Sequence, residues 1–171
     1  RNNASVNAGI DLTMCVSSPS ISLANQADRL GGQWSGIGVS GNNFSPNTAG
    51  VGTHELTYFY TDAFGCAATD TKLITVNSLP SVTAGSNLTL CTTADPVNLN
   101  TTVFPSGGTW SGVGLSGSFF NPGIVGTGQH ILTYTVSNVN GCSNVAQRTI
   151  TVTAPPAVSL GNPVNVCSNS G

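Results

Sequence analysis

The sequence predicts an all-β protein: tandem immunoglobulin-like β-sandwich domains of about 76 residues, arranged end to end. Three observations predict it. The chain repeats itself, its apolar residues alternate with period two, and Gly, Pro and Asn punctuate it at short intervals.

The repeat is explicit. "GGQWSGIGVSGNNFSPNTAGVGTHELTY" occupies 31–58 and "GGTWSGVGLSGSFFNPGIVGTGQHILTY" occupies 107–134. A gap-free shift of 76 positions lays Cys15 on Cys91, Trp34 on Trp110, His54 on His130, Tyr58 on Tyr134 and Cys66 on Cys142. From Val6 to Ser81, 29 of 76 positions are identical. A third copy starts at "AVSLGNPVNVC" (157–167), echoing "SVTAGSNLTLC" and "SVNAGIDLTMC". The expected organisation is repeat 1 over 1–79, repeat 2 over 80–155, and the first strand of a truncated third repeat over 156–171. Solenoid repeats run roughly 20–50 residues because each needs its neighbours to bury its face. A period of 76 suits a small autonomous domain instead.

Each element follows from its local pattern. "IDLTMC" and "SNLTLC" predict an early strand with Leu12/Met14 and Leu88/Leu90 inward. "SISLA" and "PVNLN" predict a second strand, and "GQWSG" and "GTWSG" a short one around the Trp. In "THELTYFYTD", Leu56, Tyr58 and Tyr60 alternate with Glu55, Thr57 and Phe59, and the second copy keeps the first set as Leu132, Tyr134 and Val136. Period two with one constant face marks a half-buried strand. "TDAFGC" and "SNVNGC" predict a hairpin connection, and "KLITV" and "RTITV" the strand that follows. No segment has helical periodicity or a capping box before an apolar run. Six or seven short strands with frequent turns fit an immunoglobulin-like sandwich. The joints "VNSLPSV" and "VTAPPAV" carry proline, which fixes φ and restricts its predecessor, so they read as semi-rigid.

Composition excludes several functions. The chain has 171 residues, 39% of them hydrophobic and 6% charged, with net charge −2. Its four cations, Arg1, Arg29, Lys72 and Arg148, form no patch for phosphates, so no nucleic acid is expected as partner. No apolar run has the length of a membrane span. The chain opens "RNNASVNAG" without an initiator Met and reads as a piece of something longer.

Five cysteines follow the repeat. The simplest pairing is within a unit, Cys15–Cys66 and Cys91–Cys142, leaving Cys167 with a partner beyond Gly171. Cys66–Cys91, between units, also obeys the period and is the competitor. A within-unit bridge closes a span of 51 positions (66 − 15) and contributes about 4 kcal/mol in the chain-entropy model. Disulfides imply an oxidising, extracytoplasmic setting. Zinc is disfavoured, because a unit has two Cys far apart and no CxxC.

The repeat also tests for chemistry, since a site used by every unit recurs. No acidic residue does: Asp11 becomes Asn87, Glu55 becomes Ile131 and Asp62 becomes Asn138. Paired carboxylates for acid–base work or a calcium cage are therefore not expected in the shared unit. His54 and His130 recur without a paired nucleophile and read as strand-start side chains bonded to a nearby turn. Trp34 and Trp110 read as core, with a ligand-stacking platform as the alternative. "SGIGVSG" and "SGVGLSG" read as turns, since no helix and no correctly placed Lys follows. Lys72 and Arg148 read as gatekeepers on an edge strand. Sequons stand at Asn3, Asn43, Asn87 and Asn100. The expectation is no enzyme, no cofactor and no metal.

The combination GGxWSGxGxSG, then F.P, G.GxHxLTY, GC, ITV and P, resembles the tandem immunoglobulin-like repeats of giant Bacteroidota cell-surface proteins, including the mobile adhesins of gliding bacteria. The likeness covers both full units and the third stub. It implies type IX secretion and display as extracellular or cell-surface filaments. Implied partners are neighbouring repeats of the chain, other filament subunits and surface glycans. The competing function is a carbohydrate-binding or spacer module of a secreted enzyme. An exposed Trp34/Trp110 face favours that module, and buried rings favour the filament. A weaker third idea is that residues 157–171 complete the sheet of a neighbouring molecule.

Overall fold

The computed structural model describes residues 5–158. The expectations for Cys167, and for a third-repeat strand beyond residue 158, lie outside the described residues.

The first unit is built on one long hairpin. Strands β1 (Leu12–Cys15), β2 (Ile21–Ser22), β3 (Gln33–Ser35), β4 (Val39–Ser40) and β5 (Asn43–Phe44) precede a single helical turn, α1 (Pro46–Ala49). Then come β6 (Gly52–Thr61) and β7 (Ala67–Asn77). The sheet order is β1-β7-β6-β3, with a second sheet β2-β5-β4. In β6 the side chains alternate as the sequence pattern requires: Leu56 and Tyr58 are buried, while Glu55 and Phe59 are exposed. Leu56, Tyr58, Ile74 and Val76 from the first sheet meet Phe44, Ile21 and Val39 from the second in one apolar layer. That shared layer makes the two sheets a sandwich.

The second unit repeats the plan. Strands β8 (Leu88–Cys91), β9 (Val97–Asn98), β10 (Thr109–Ser111), β11 (Leu115–Ser116) and β12 (Phe119–Phe120) lead to the turn α2 (Pro122–Val125). Strands β13 (Gly128–Ser137) and β14 (Ser143–Thr153) follow. The sheets are β10-β13-β14-β8 and β11-β12-β9. Leu132, Ile150, Val152, Leu99 and Phe120 fill the layer between them.

Two details differ from the sequence reading. Short helical turns do occur, at α1 and α2. Pro at the first turn suits a helix start, and the Ser45 and Asn121 side chains accept from the backbone N–H groups of Thr48 and Gly123. A single turn is too short to leave a period in the sequence. Lys72 and Arg148, read as edge gatekeepers, are buried instead. β7 lies between β1 and β6, and Lys72 shares its inward face with Ile74 and Val76. Arg148 holds the same place beside Ile150 and Val152.

The larger correction concerns the cysteines. The structure contains a Cys15–Cys142 disulfide, with Cα atoms 5.6 Å apart, while Cys66 and Cys91 are free. Neither within-unit bridge, Cys15–Cys66 or Cys91–Cys142, forms, and nor does Cys66–Cys91. The reason is the parallel pairing of first and last strands. β1 runs alongside β7 with Cys15 opposite Asn77. Cys66 adjoins Ala67, at the other end of β7. At about 3.3 Å per residue, the two are separated by about 33 Å of strand. A disulfide spans Cα atoms no more than about 6.8 Å apart. The same register puts Cys91 opposite Thr153, a strand length from Cys142.

Candidate functional site

Two features recur or join across the repeats: the stapled joint, and a cleft beside each tryptophan.

The joint is assembled from a strand end and a hairpin. After β1, Val16 N–H donates to Asn77 O and Ser18 N–H to Cys15 O, which fixes where Cys15 points. The β13–β14 hairpin is held by Asn138. Its Oδ1 accepts from the N–H groups of Asn140 and Cys142, its own N–H donates to Cys142 O, and Gly141 N–H returns to Asn138 O. Gly141 has φ of 77°, which a side chain would resist. The hairpin then grips the linker. Asn138 Nδ2 donates to Ser78 O at 2.9 Å, and Asn144 Nδ2 to Pro80 O at 3.0 Å. Cys142 is fully buried there. One covalent bond and the Asn138–Ser78 hydrogen bond thus tie the second unit to the first, and Asn144 holds the linker at Pro80.

Each tryptophan stands at a repeated corner. Trp34 packs on Tyr58 with ring centroids 4.8 Å apart, and Trp110 on Tyr134 at 5.0 Å. Tyr58 Oη accepts from Gly32 N–H and donates to Arg29 O, both at 2.7 Å. Tyr134 Oη does the same between Gly108 N–H and Pro105 O. A Cβ on Gly32 or Gly108 would lie about as close as 2.5 or 2.6 Å to the tyrosine ring, which explains the "GG" before each Trp. Trp34 is 6% exposed and donates from Nε1 to Leu23 O. Trp110 is half-buried and donates to Asn100 Oδ1. Beside Trp34 an open cleft of ≈ 420 Å³ is lined by Gly32, Gln33, Gly41 and Asn42. Beside Trp110 a cleft of ≈ 360 Å³ is lined by the matching Gly108, Thr109, Gly117 and Ser118.

The other recurring residues are structural in their contacts. His54 Nε2 bonds Gly50 O at 2.8 Å, and His130 Nε2 bonds Gly126 O at 3.1 Å. Lys72 Nζ donates to Gln26 Oε1 at 2.8 Å. Burial lowers its pKa, and the carboxylate of Asp11 partly opposes that. Burial also lowers the pKa of Arg148, whose Nη1 donates to Thr102 Oγ1 and whose Nε has no hydrogen-bond partner. Sequence reasoning missed these buried cations. The available signal was their in-phase spacing with Ile74/Val76 and Ile150/Val152. Among the described residues, no three His, Cys, Asp or Glu side chains cluster where a metal could bind. No described helix is long and apolar enough to cross a membrane.

The class these features define is an all-β sandwich protein with a covalent joint between successive units. No protein-family model matches the chain, and no curated protein matches it. Among solved structures it is similar to the Bacteroides ovatus mixed-linkage glucan utilization locus protein SGBP-B, solved in complex with mixed-linkage heptasaccharide. Identity is 13% and the TM-score 0.29, over 85% of this chain and 43% of that one. The chain therefore spans less than half the length of that protein. So loose an overlap carries no residue roles across.

Proposed function

We propose that the chain is a structural and adhesive segment of an extracellular filament or giant surface adhesin of the gliding-adhesin type. The observation that carries this is the Cys15–Cys142 bond between consecutive repeats. An enzyme's spacer needs no such bond, whereas a strut under tension gains from one. The bond encloses everything from Cys15 to Cys142, a sequence separation of 127. Tension applied at the chain ends passes through sulfur and bypasses β6 and β7. The buried Trp34 supports the same reading, because its ring is committed to the core. The disulfide supports the extracellular side of this reading, because such bonds persist in oxidising compartments. On this reading the chain has no catalytic role.

Single-molecule stretching between the chain termini tests it. The oxidised chain should extend about 430 Å less than the reduced one, since 127 positions at about 3.4 Å each are locked inside the loop. Equal extension in both states sinks the structural reading.

A second reading rests on the paired clefts at Trp34 and Trp110, which are open, polar-lined and placed alike. They suit a sugar packed against the accessible part of the Trp110 ring, with polar neighbours to bond its hydroxyls. An oligosaccharide array with the oxidised chain and with Trp110→Ala decides it. Binding lost in the variant supports glycan recognition, and no binding by either removes it.

A further inference from the structure

The repeat equates each free cysteine with a bonded one. Cys66 is the counterpart of Cys142, and Cys91 of Cys15. We propose that Cys66 and Cys91 are the open halves of further joints of the Cys15–Cys142 kind. Each takes the matching half of a repeat of this same type, and between two copies of this 171-residue chain that pairing is Cys91 with Cys66.

Both half-sites are built like the bonded ones. At the first hairpin, Asp62 Oδ1 accepts from the N–H groups of Phe64 and Cys66, Asp62 N–H donates to Cys66 O, and Gly65 N–H returns to Asp62 O. That is the Asn138 turn bond for bond. After β8, Thr92 N–H donates to Thr153 O and Ala94 N–H to Cys91 O, as Val16 and Ser18 do around Asn77 and Cys15. The two thiols differ from their bonded counterparts in exposure. Cys142 is fully buried and Cys15 half-buried, while Cys66 and Cys91 are both exposed. Both also lie a strand length from the existing joint, Cys66 at the far end of β7 and Cys91 at the far end of β14. Each therefore faces outward from the stapled pair rather than toward it.

The new joint lacks two contacts. Asp62 and Ala68 stand where Asn138 and Asn144 donate to the linker, and neither can donate. A copy-to-copy joint rests on its sulfur bond and should strengthen when those donors are restored.

The chemistry needs a mild oxidant, here a low-molecular-weight disulfide. The thiolate of Cys66 attacks it, forming a mixed disulfide and releasing one small thiol. The thiolate of Cys91 on a second copy then displaces the other small thiol. Two protein thiols become one disulfide, and their two protons and two electrons pass to the reagent, which ends as two small thiols.

The inference rests on the observed joint but not on its mechanical role. To test it, the full chain carrying Cys167→Ser is prepared with Cys66→Ser or with Cys91→Ser, and each variant is treated with oxidised glutathione. Each should stay monomeric alone. An equal mixture should give a disulfide-linked dimer whose non-reduced digest contains a Cys66–Cys91 peptide. Adding Asp62→Asn and Ala68→Asn to the partner offering Cys66 should raise the yield several-fold. Dimers formed equally by the separate variants, or no dimer in the mixture, overturn the proposal. A Cys15–Cys142 peptide in the same digest shows whether the founding joint is present. Its absence defeats the proposed function as well, whereas its presence without Cys66–Cys91 defeats this inference alone.

Discussion

The hairpins ending in Cys66 and Cys142 share their glycine, their turn geometry and their side-chain cap, yet one thiol is exposed and the other is bonded and buried. Local sequence therefore does not decide a cysteine's fate here. What decides it is whether a neighbouring unit brings a strand end to the hairpin. The linker does so once, by delivering β1's last residue to the β13–β14 turn. The lesson concerns parallel pairing: a bridge that cannot cross its own strand length reaches the next unit instead.

The comparison breaks most sharply at the staple. Cys142→Ser should destabilise the chain by about 4–5 kcal/mol, the chain-entropy value for a loop of this size. Cys66→Ser should leave stability unchanged. Denaturant titration without reductant measures both. If the two variants melt together, the joint is not covalent in solution.

The tryptophans give the next contrast. Trp34→Ala removes a buried ring and should cost about 3–5 kcal/mol. Trp110→Ala removes a half-buried one and should cost less. Thermal unfolding resolves the order, and a reversed order means that the second cleft is less open than described.

Lys72 sharpens the comparison through pH. Its folded pKa is lowered, so between that value and its ordinary pKa of 10.5 the unfolded state holds more protons. Stability should therefore rise as pH climbs through that window and stay level below it. Lys72→Met should flatten the rise and be neutral, or stabilising by about 1–4 kcal/mol, as replacing buried charges with apolar groups often is. Urea midpoints across an alkaline series check the slope.

The smallest effect belongs to the linker clasp. Asn138→Asp and Asn144→Ala give the second hairpin the residues of the first. Each should cost about 0.5–1.5 kcal/mol, the usual contribution of one hydrogen bond. Hydrogen exchange around 78–82 should quicken if the clasp holds the linker. Unchanged exchange would mean that the staple acts alone.

Much of this fold was legible. Alternation through Leu56, Tyr58 and Leu132, Tyr134 located the long strands, and the Gly-Cys turns located their hairpins. The pairing of the first strand was not. "IDLTMC" lies near "KLITV" in either a parallel or an antiparallel arrangement, and periodicity is blind to direction. The disulfide expectation failed on that point, since an antiparallel β1 would have carried Cys15 toward Cys66. Lys72 was misread for a related reason. Charge suggested an edge, while its phase with Ile74 and Val76 already pointed inward. The tryptophan corner was half legible: "GGxW" marked a constraint, but the tyrosine hydroxyl that imposes it lies 26 residues away.

Sealing Lys72 and Arg148 inside has an outward effect. Of the cations among the described residues, only Arg29 meets solvent. Dissolved ions act on exposed charge over a Debye length of about 10 Å at 0.1 M. The exposed charge that remains is mostly carboxylate, at Asp11, Asp28, Glu55 and Asp95, so added salt should reach this surface mainly through its acids.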